Sequence, residues 1–159
     1  INFLGKLNFE AIQIFDSFLF ELSKFEFNYY LKNYYVNLLN ELKKKIRIPF
    51  IFFCLDTIYI VDFIKELNID VLSVDHKENI LFYFNNIRDK TIQGNLDPFI
   101  LTLDYKIFKF ILERSFKDIL ENIKLEKDYK RRYIFNVGYG LKPNTQIDNL
   151  KFLIEYIKK

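Results

Sequence analysis

The sequence predicts an α/β fold built on a parallel sheet, and three observations predict it. Five short segments rich in β-branched and aromatic residues, each bounded by polar or breaker residues, recur along the chain. Between them the apolar residues recur at intervals of three and four, the signature of helices with one inward face. A length of 159 residues is enough for one domain with a proper core and too short for two comfortable ones. Strand and helix alternating in the order βαβαβαβαβα require parallel strands joined by helical crossovers, in a sheet that is either doubly wound or closed as a barrel. Five units fall short of an eight-stranded barrel, so a barrel parent makes this chain its C-terminal part.

The first strand is read at AIQIF, residues 11–15, and the helix after it presents Phe27, Leu31, Tyr34, Leu38 and Leu42 to the core. The second is PFIFFC, residues 49–54, followed by a face at Ile60, Ile64 and Leu67. DVLSV, residues 70–74, is the third, and Ile80, Phe84 and Ile87 continue it as a helix. TIQGNL, residues 91–96, is the fourth, with Phe108, Leu112, Ile119 and Ile123 behind it. YIFNVG, residues 133–138, is the fifth. The last helix presents Ile147, Leu150, Ile154 and Ile157; Pro143, then Asn144 or Thr145 as cap, and Asp148 in the first turn mark its start.

Composition excludes several classes of function. Half the residues are apolar, and 24 basic residues against 21 acidic leave a net charge of +3. That describes a soluble globular protein with a weak attraction for anions, not a nucleic-acid-coating or disordered one. The two basic clusters, Lys43-Lys44-Lys45-Ile46-Arg47 and Lys127-Asp128-Tyr129-Lys130-Arg131-Arg132, fall where helical patterns end, where cations complement the helix dipole. The single cysteine, Cys54, lies in an apolar run and reads as a packed core thiol; unable to form an internal disulfide, it fits a reducing compartment, taken as the cytoplasm. No apolar run approaches the roughly eighteen residues of a membrane span, and no secretory signal is visible. The sequence starts at Ile1 and holds no Met, which points to a fragment or a processed piece.

In parallel α/β folds the functional groups gather at the C-terminal ends of the strands. Here those ends are Asp16-Ser17, Cys54-Leu55-Asp56, Asp75-His76, Asn95-Leu96-Asp97 and Asn136-Val137-Gly138-Tyr139-Gly140. Asp16 and Asp75 read as caps of the next helix, Asp97-Pro98 as a turn, and His76 as a surface loop residue. Cys54 and His76 lack the close-spaced ligand pairs of a zinc site. Gly138-Tyr139-Gly140 lacks the third glycine of a dinucleotide fingerprint and is no P-loop. The pair of glycines instead calls for positive φ or close backbone approach just after a strand, which sets Tyr139 over the mouth of the sheet.

Taken together, AIQIFDS, DVLSVD, IQGNLDP and IFNVGYGLKPNT resemble, in order and spacing, the C-terminal half of the uroporphyrinogen decarboxylases. The QGNLDP and N-x-G-x-G-L-x-P-x-T blocks are the most specific parts of the likeness. The resemblance implies a (β/α)8 TIM barrel of which residues 1–159 are the C-terminal part, about the last five βα units of a single domain. It implies an enzyme of haem biosynthesis that removes the four acetate carboxylates of uroporphyrinogen III to give coproporphyrinogen III with neither metal nor organic cofactor, and that pairs as a homodimer. The substrate-clamping arginines and the pyrrole-binding aspartate of the family lie in the N-terminal half, so the resemblance leaves no catalytic residue in this chain and implies that it is inactive alone. It carries over two substrate-binding positions. Ser17 matches a hydroxyl residue that touches a substrate carboxylate, and Tyr139 stands where the family has a histidine with the same task.

The chain departs from the family at two further points. Phe18 and Leu19 stand where small residues are usual, and Cys54-Leu55-Asp56-Thr57 replaces a glycine-bearing loop; both predict a narrower cleft. Two other readings are kept. One is a non-catalytic half-barrel for binding or assembly, since an open half-barrel exposes edge strands and an apolar face. The other is a relative of the corrinoid-linked methyltransferases, which share the barrel and use zinc.

Overall fold

In the computed structural model, the structure describes residues 9–125 and 128–158; Ile1 and Lys127 of the readings above lie outside them. All five predicted strands form: β1 Ile12–Asp16, β2 Phe50–Cys54, β3 Val71–Ser73, β4 Thr91–Leu96 and β5 Tyr133–Val137. They make one parallel sheet in the order β1-β2-β3-β4-β5. A doubly wound sheet reverses its strand order at a switch point, and this one never does. Sequential order belongs to the barrel, so the fold is α/β and a partial (β/α)8 barrel.

The period of two divides the sheet into unlike faces. One row, Ile14, Phe52, Leu72, Ile92 and Tyr133, lies in register across all five strands and packs beneath the helices. The next row, Phe15, Phe53, Ser73, Gln93 and Ile134, faces the opposite, concave side. There Gln93 donates from Nε2 to Ser73 Oγ at 3.1 Å, satisfying two buried polar side chains on a face that a complete barrel encloses.

Each helix starts for a local reason. Ser23 and Glu26 form a reciprocal capping box ahead of α1 (Lys24–Glu26). The chain then runs through a π-helical turn, Phe27–Leu31, into α2 (Lys32–Lys45). After β2 a 3-10 turn, Thr57–Ile60, leads into α3 (Val61–Glu66). Asn79 caps α4 (Ile80–Asn86) by accepting from the Leu81 N–H at 3.0 Å. Asp104 caps α5 (Tyr105–Ile111), which passes through a second π-helical turn, Leu112–Phe116, into α6 (Lys117–Leu125). The short α7 (Tyr129–Arg132) precedes β5, and α8 (Ile147–Ile157) follows it.

The π-helical turns correct the inward faces read from the sequence. A π turn inserts one extra residue, so positions beyond it rotate by about one place. After Phe27 the core therefore takes Tyr35 and Leu39, whereas Tyr34 is 60% exposed. After Leu112 it takes Phe116 as well as Ile123, and Ile119 is only partly buried. The last helix is also rotated: Leu153 and Asn149 are buried, while Ile147 and Ile154 are exposed. Asn149 sits inward because its Nδ2 donates to the carbonyls of Leu101 and Leu103, at 3.2 and 2.9 Å. The start of α8 differs too, for Gln146 is its N-cap and makes no side-chain cap bond, although Asp148 does lie in the first turn.

Both basic clusters end helices where described. Lys43, Lys44 and Lys45 close α2, with Lys43 paired to Asp70 and Lys44 to Glu41. Arg132, at the end of α7, donates to the carbonyls of Phe84 and Ile87 and so closes α4. Among the described residues no helix is long and apolar enough to cross a membrane.

The rotated face is testable. Tyr35→Ala should destabilise the fold by about 3 kcal/mol in urea denaturation, since it empties a core aromatic site. Tyr34→Ala should change stability by less than about 0.5 kcal/mol. Equal effects would mean that the helix keeps plain α periodicity through residue 31.

Candidate functional site at the strand ends

The mouth of the sheet is organised by carboxylates. Asp16 ends β1: its Oδ1 accepts from the Phe18 N–H at 3.0 Å and its Oδ2 from the Tyr35 hydroxyl. Burial, reinforced by that carboxylate, pushes the Tyr35 phenol upward. Asp75, fully buried after β3, accepts from the Asp56 N–H at 2.8 Å and from the Lys77 N–H at 2.7 Å. Asn95 on β4 donates to the carbonyls of Asp75 and Glu78, at 2.8 and 2.7 Å. Asp97 accepts from the Phe99 N–H at 2.8 Å with Pro98 next in line, so the turn reading holds.

Asp56, Asp75 and Glu78 bring their carboxylates within 4.8 Å of one another. Burial raises the Glu78 pKa, and its oxygens accept from Tyr83 and from the Ile58 N–H. These contacts tie the loop after β2 to the loop after β3, a grouping that linear spacing did not reveal. Asp56 takes a left-handed conformation, φ 48°, at the loop where the family resemblance predicts a glycine. An aspartate tolerates that region better than a bulky side chain.

The two glycines of the fifth strand end differ. A Cβ on Gly138 would lie 2.3 Å from the backbone nitrogen of His76 and 2.6 Å from its Cα, so close approach excludes any side chain there. Gly140 has nothing within 4 Å of such an atom and does not take positive φ, which corrects the expectation for the second glycine. Positive φ falls instead on Gly94 in β4, φ 135°, whose Cβ would meet the Val74 carbonyl oxygen at 2.8 Å.

Ser17 and Tyr139, from opposite edges of the sheet, line one cleft of about 370 Å3. Phe15 and Phe53 wall it with rings 5.7 Å apart, and Gln13, Ser73 and Asn136 add amide and hydroxyl groups. None of its lining residues is acidic. The substituted residues do not wall the cleft: Phe18 is 72% exposed, Leu19 is buried among the helices, and neither is in its lining. Cys54 points to the helix side, 3.6 Å from Thr57 Oγ1, with burial pushing its thiol up to about 12. His76 is half-buried, with its ring 6.2 Å from that of Tyr139. A larger groove of about 590 Å3 runs between α6 and α8 over Tyr133 and Phe135, on the helix side and away from the strand ends.

A sequentially ordered parallel sheet with a cleft at its C-terminal strand ends defines a protein of the (β/α)8-barrel class. The family model described as uroporphyrinogen decarboxylase (URO-D) matches residues 5–159. The uroporphyrinogen decarboxylase of Thermodesulfovibrio yellowstonii is 34% identical over 148 residues, 92% of this chain and 40% of the relative. That of Picrophilus torridus is 34% identical, covering 93% of this chain and 41% of the relative. That of Aquifex aeolicus is 32% identical over 153 residues, 96% of this chain and 43% of the relative. The chain belongs to the uroporphyrinogen decarboxylase family, and it spans about two-fifths of the length of these curated relatives.

Two outcomes follow from this geometry. Gly138→Ala should cost about 2 kcal/mol or more, because the obstructing atoms are backbone, whereas Gly140→Ala should be nearly neutral; paired thermal melts check this, and equal shifts would refute the contact. At pH 8 Cys54 should resist a thiol reagent such as Ellman's until denaturant is added, since a buried thiol titrating near 12 presents about one thiolate in ten thousand. Rapid labelling of the native chain would contradict its placement.

Proposed function

We propose that residues 1–159 form the C-terminal part of a single barrel domain whose complete form is a uroporphyrinogen decarboxylase, a carboxy-lyase. In that form it removes the four acetate carboxylates of uroporphyrinogen III, yielding coproporphyrinogen III in haem biosynthesis, without metal or organic cofactor, in the cytoplasm and as a homodimer. The observation that carries the reading is the cleft shared by Ser17 and Tyr139, with aromatic walls and no acidic lining. Its walls suit a pyrrole ring of the substrate, and its polar groups suit the carboxylates that the ring carries.

In this reaction a proton added to a pyrrole carbon makes the ring an electron sink. The carbon–carbon bond to the carboxylate breaks, its electron pair flows into the ring, CO2 leaves, the acetate carbon is protonated to a methyl group, and the ring carbon gives back the proton it took, restoring the pyrrole. Ser17 and Tyr139 each offer a hydroxyl to a carboxylate that remains, and so orient the ring. A phenol carries no positive charge near neutral pH, so Tyr139 holds an anion less tightly than the histidine of the family resemblance. The groups that clamp and protonate the ring are contributed by the other portion of the barrel. The chain by itself is therefore a binding surface and not a catalyst.

One observation favours a second reading, a non-catalytic half-barrel that assembles with a partner. Phe15 on the concave face is 66% exposed, and among the described residues β1 and β5 each pair on one side only.

Incubation of the isolated chain with uroporphyrinogen III, followed by chromatography of the oxidised porphyrins, should show no product. Added to an N-terminal barrel portion from a relative, the chain should restore coproporphyrinogen formation, and Tyr139→His should raise that rate severalfold. Turnover by the chain alone would sink the claim of inactivity. A stable complex without any turnover would leave the assembly module in place of the enzyme.

A further inference from the structure

Tyr139 is the centre of a cluster that the proposed chemistry has not used. Lys142, four residues after Gly138 on the same loop, places its Nζ 5.4 Å from the centroid of the Tyr139 ring. Within about 6 Å of an aromatic face a cation is held by the ring quadrupole, which keeps this ammonium at the mouth. On another side of the ring stands His76, its ring centroid 6.2 Å away at an interplanar angle of 47°. His76 Nδ1 is buried and has no hydrogen-bond partner among the described residues. An unmatched buried atom in a native structure calls for a partner, whether an ordered water, an ion or a bound group. Asp75, its chain neighbour, accepts from the Asp56 and Lys77 N–H groups and makes no bond to the imidazole.

The loop cannot drift from this arrangement. The backbone at Gly138 sits against the His76 backbone so tightly that no Cβ fits, and the Gly138 N–H donates to the Leu96 carbonyl at 2.8 Å. Tyr139 lines the cleft, and the His76 imidazole from the loop after β3 and the Lys142 ammonium from the loop after β5 stand beside its ring, just outside that lining.

We propose that Lys142 and His76, flanking Tyr139, form a carboxylate-binding subsite at the rim of this cleft. The positive charge that the phenol cannot supply comes from Lys142, and the imidazole supplies a second hydrogen bond. The ligand class is an aromatic ring bearing peripheral carboxylates, and the inference rests on the reading of the cleft given under the proposed function. Lys142 and His76 are then specificity-determining residues: they select for anionic ring substituents without taking part in bond cleavage.

The test is a titration of the chain with uroporphyrin I, the oxidised octacarboxylate ring, followed by its Soret band and by quenching of tyrosine fluorescence, which no tryptophan obscures. Lys142→Met and His76→Gln should each weaken binding about tenfold, the loss of one charge-assisted hydrogen bond at a partly exposed rim. Lys142→Arg should keep affinity within about twofold, and Lys44→Met, at the far end of α2, should leave it unchanged. The wild-type affinity should fall with added salt, and less steeply in Lys142→Met. If uroporphyrin binds the wild type and both rim variants equally, the subsite is overturned while the cleft reading stands. If the wild type does not bind it at all, the cleft reading falls and takes the subsite with it.

Discussion

The peptide between Asp75 and His76 is the point on which the mouth of this sheet depends. On one side the buried Asp75 carboxylate gathers the backbone of Asp56 and Lys77. Its carbonyl receives the Asn95 amide from the neighbouring strand. On the other side the His76 backbone is so close to Gly138 that the fifth strand end is locked over the third. A carboxyl group buried this deeply is costly unless its oxygens are hydrogen-bonded, and two backbone donors provide that compensation. Four strand ends are thus fixed relative to one another by a single buried residue and its neighbour.

The two faces of the sheet are stabilised by different physics. Beneath the helices the rows are mainly apolar, and burial from water is their main source of stability. The concave face mixes Phe15 and Phe53 with Ser73 and Gln93, a pattern suited to the interior of a closed barrel that also holds a ligand. With five strands that face is open at both edges, which is why Phe15 remains mostly exposed although its row partner Phe53 is buried.

Most of the fold was legible in the sequence, and the misreadings have a common cause. The five strands could be placed within a residue or so because parallel strands buried on both faces are written as short apolar runs. The helices were found, but the phase of their faces was not. A π-helical turn leaves no clear local signal, and Tyr34 and Tyr35 are equally plausible core residues until the turn at Phe27–Leu31 is seen. Asn149 escaped for a different reason: an amide is inward only because the Leu101 and Leu103 carbonyls are there to receive it, a contact between positions far apart in the chain. At the site, the strand-end rule put Ser17 and Tyr139 among many candidates and the family resemblance singled them out; the fold brings both to one cleft. The same rule could not find Lys142, which lies in a loop and owes its place to the Tyr139 ring.

Gly138 and Tyr139 divide the work of the fifth strand end in a way that separates fold from chemistry. The constraint falls on Gly138, where backbone meets backbone and nothing larger fits. Tyr139 carries no such constraint: its side chain is 40% exposed and projects over the cleft. A change of side chain at 139 therefore alters what the mouth presents to a ligand while leaving intact the contacts that hold the mouth in shape. Gly140, with open space around it, belongs with Tyr139 and not with Gly138. Such a loop lets the residue at 139 change without any penalty to the packing beneath it.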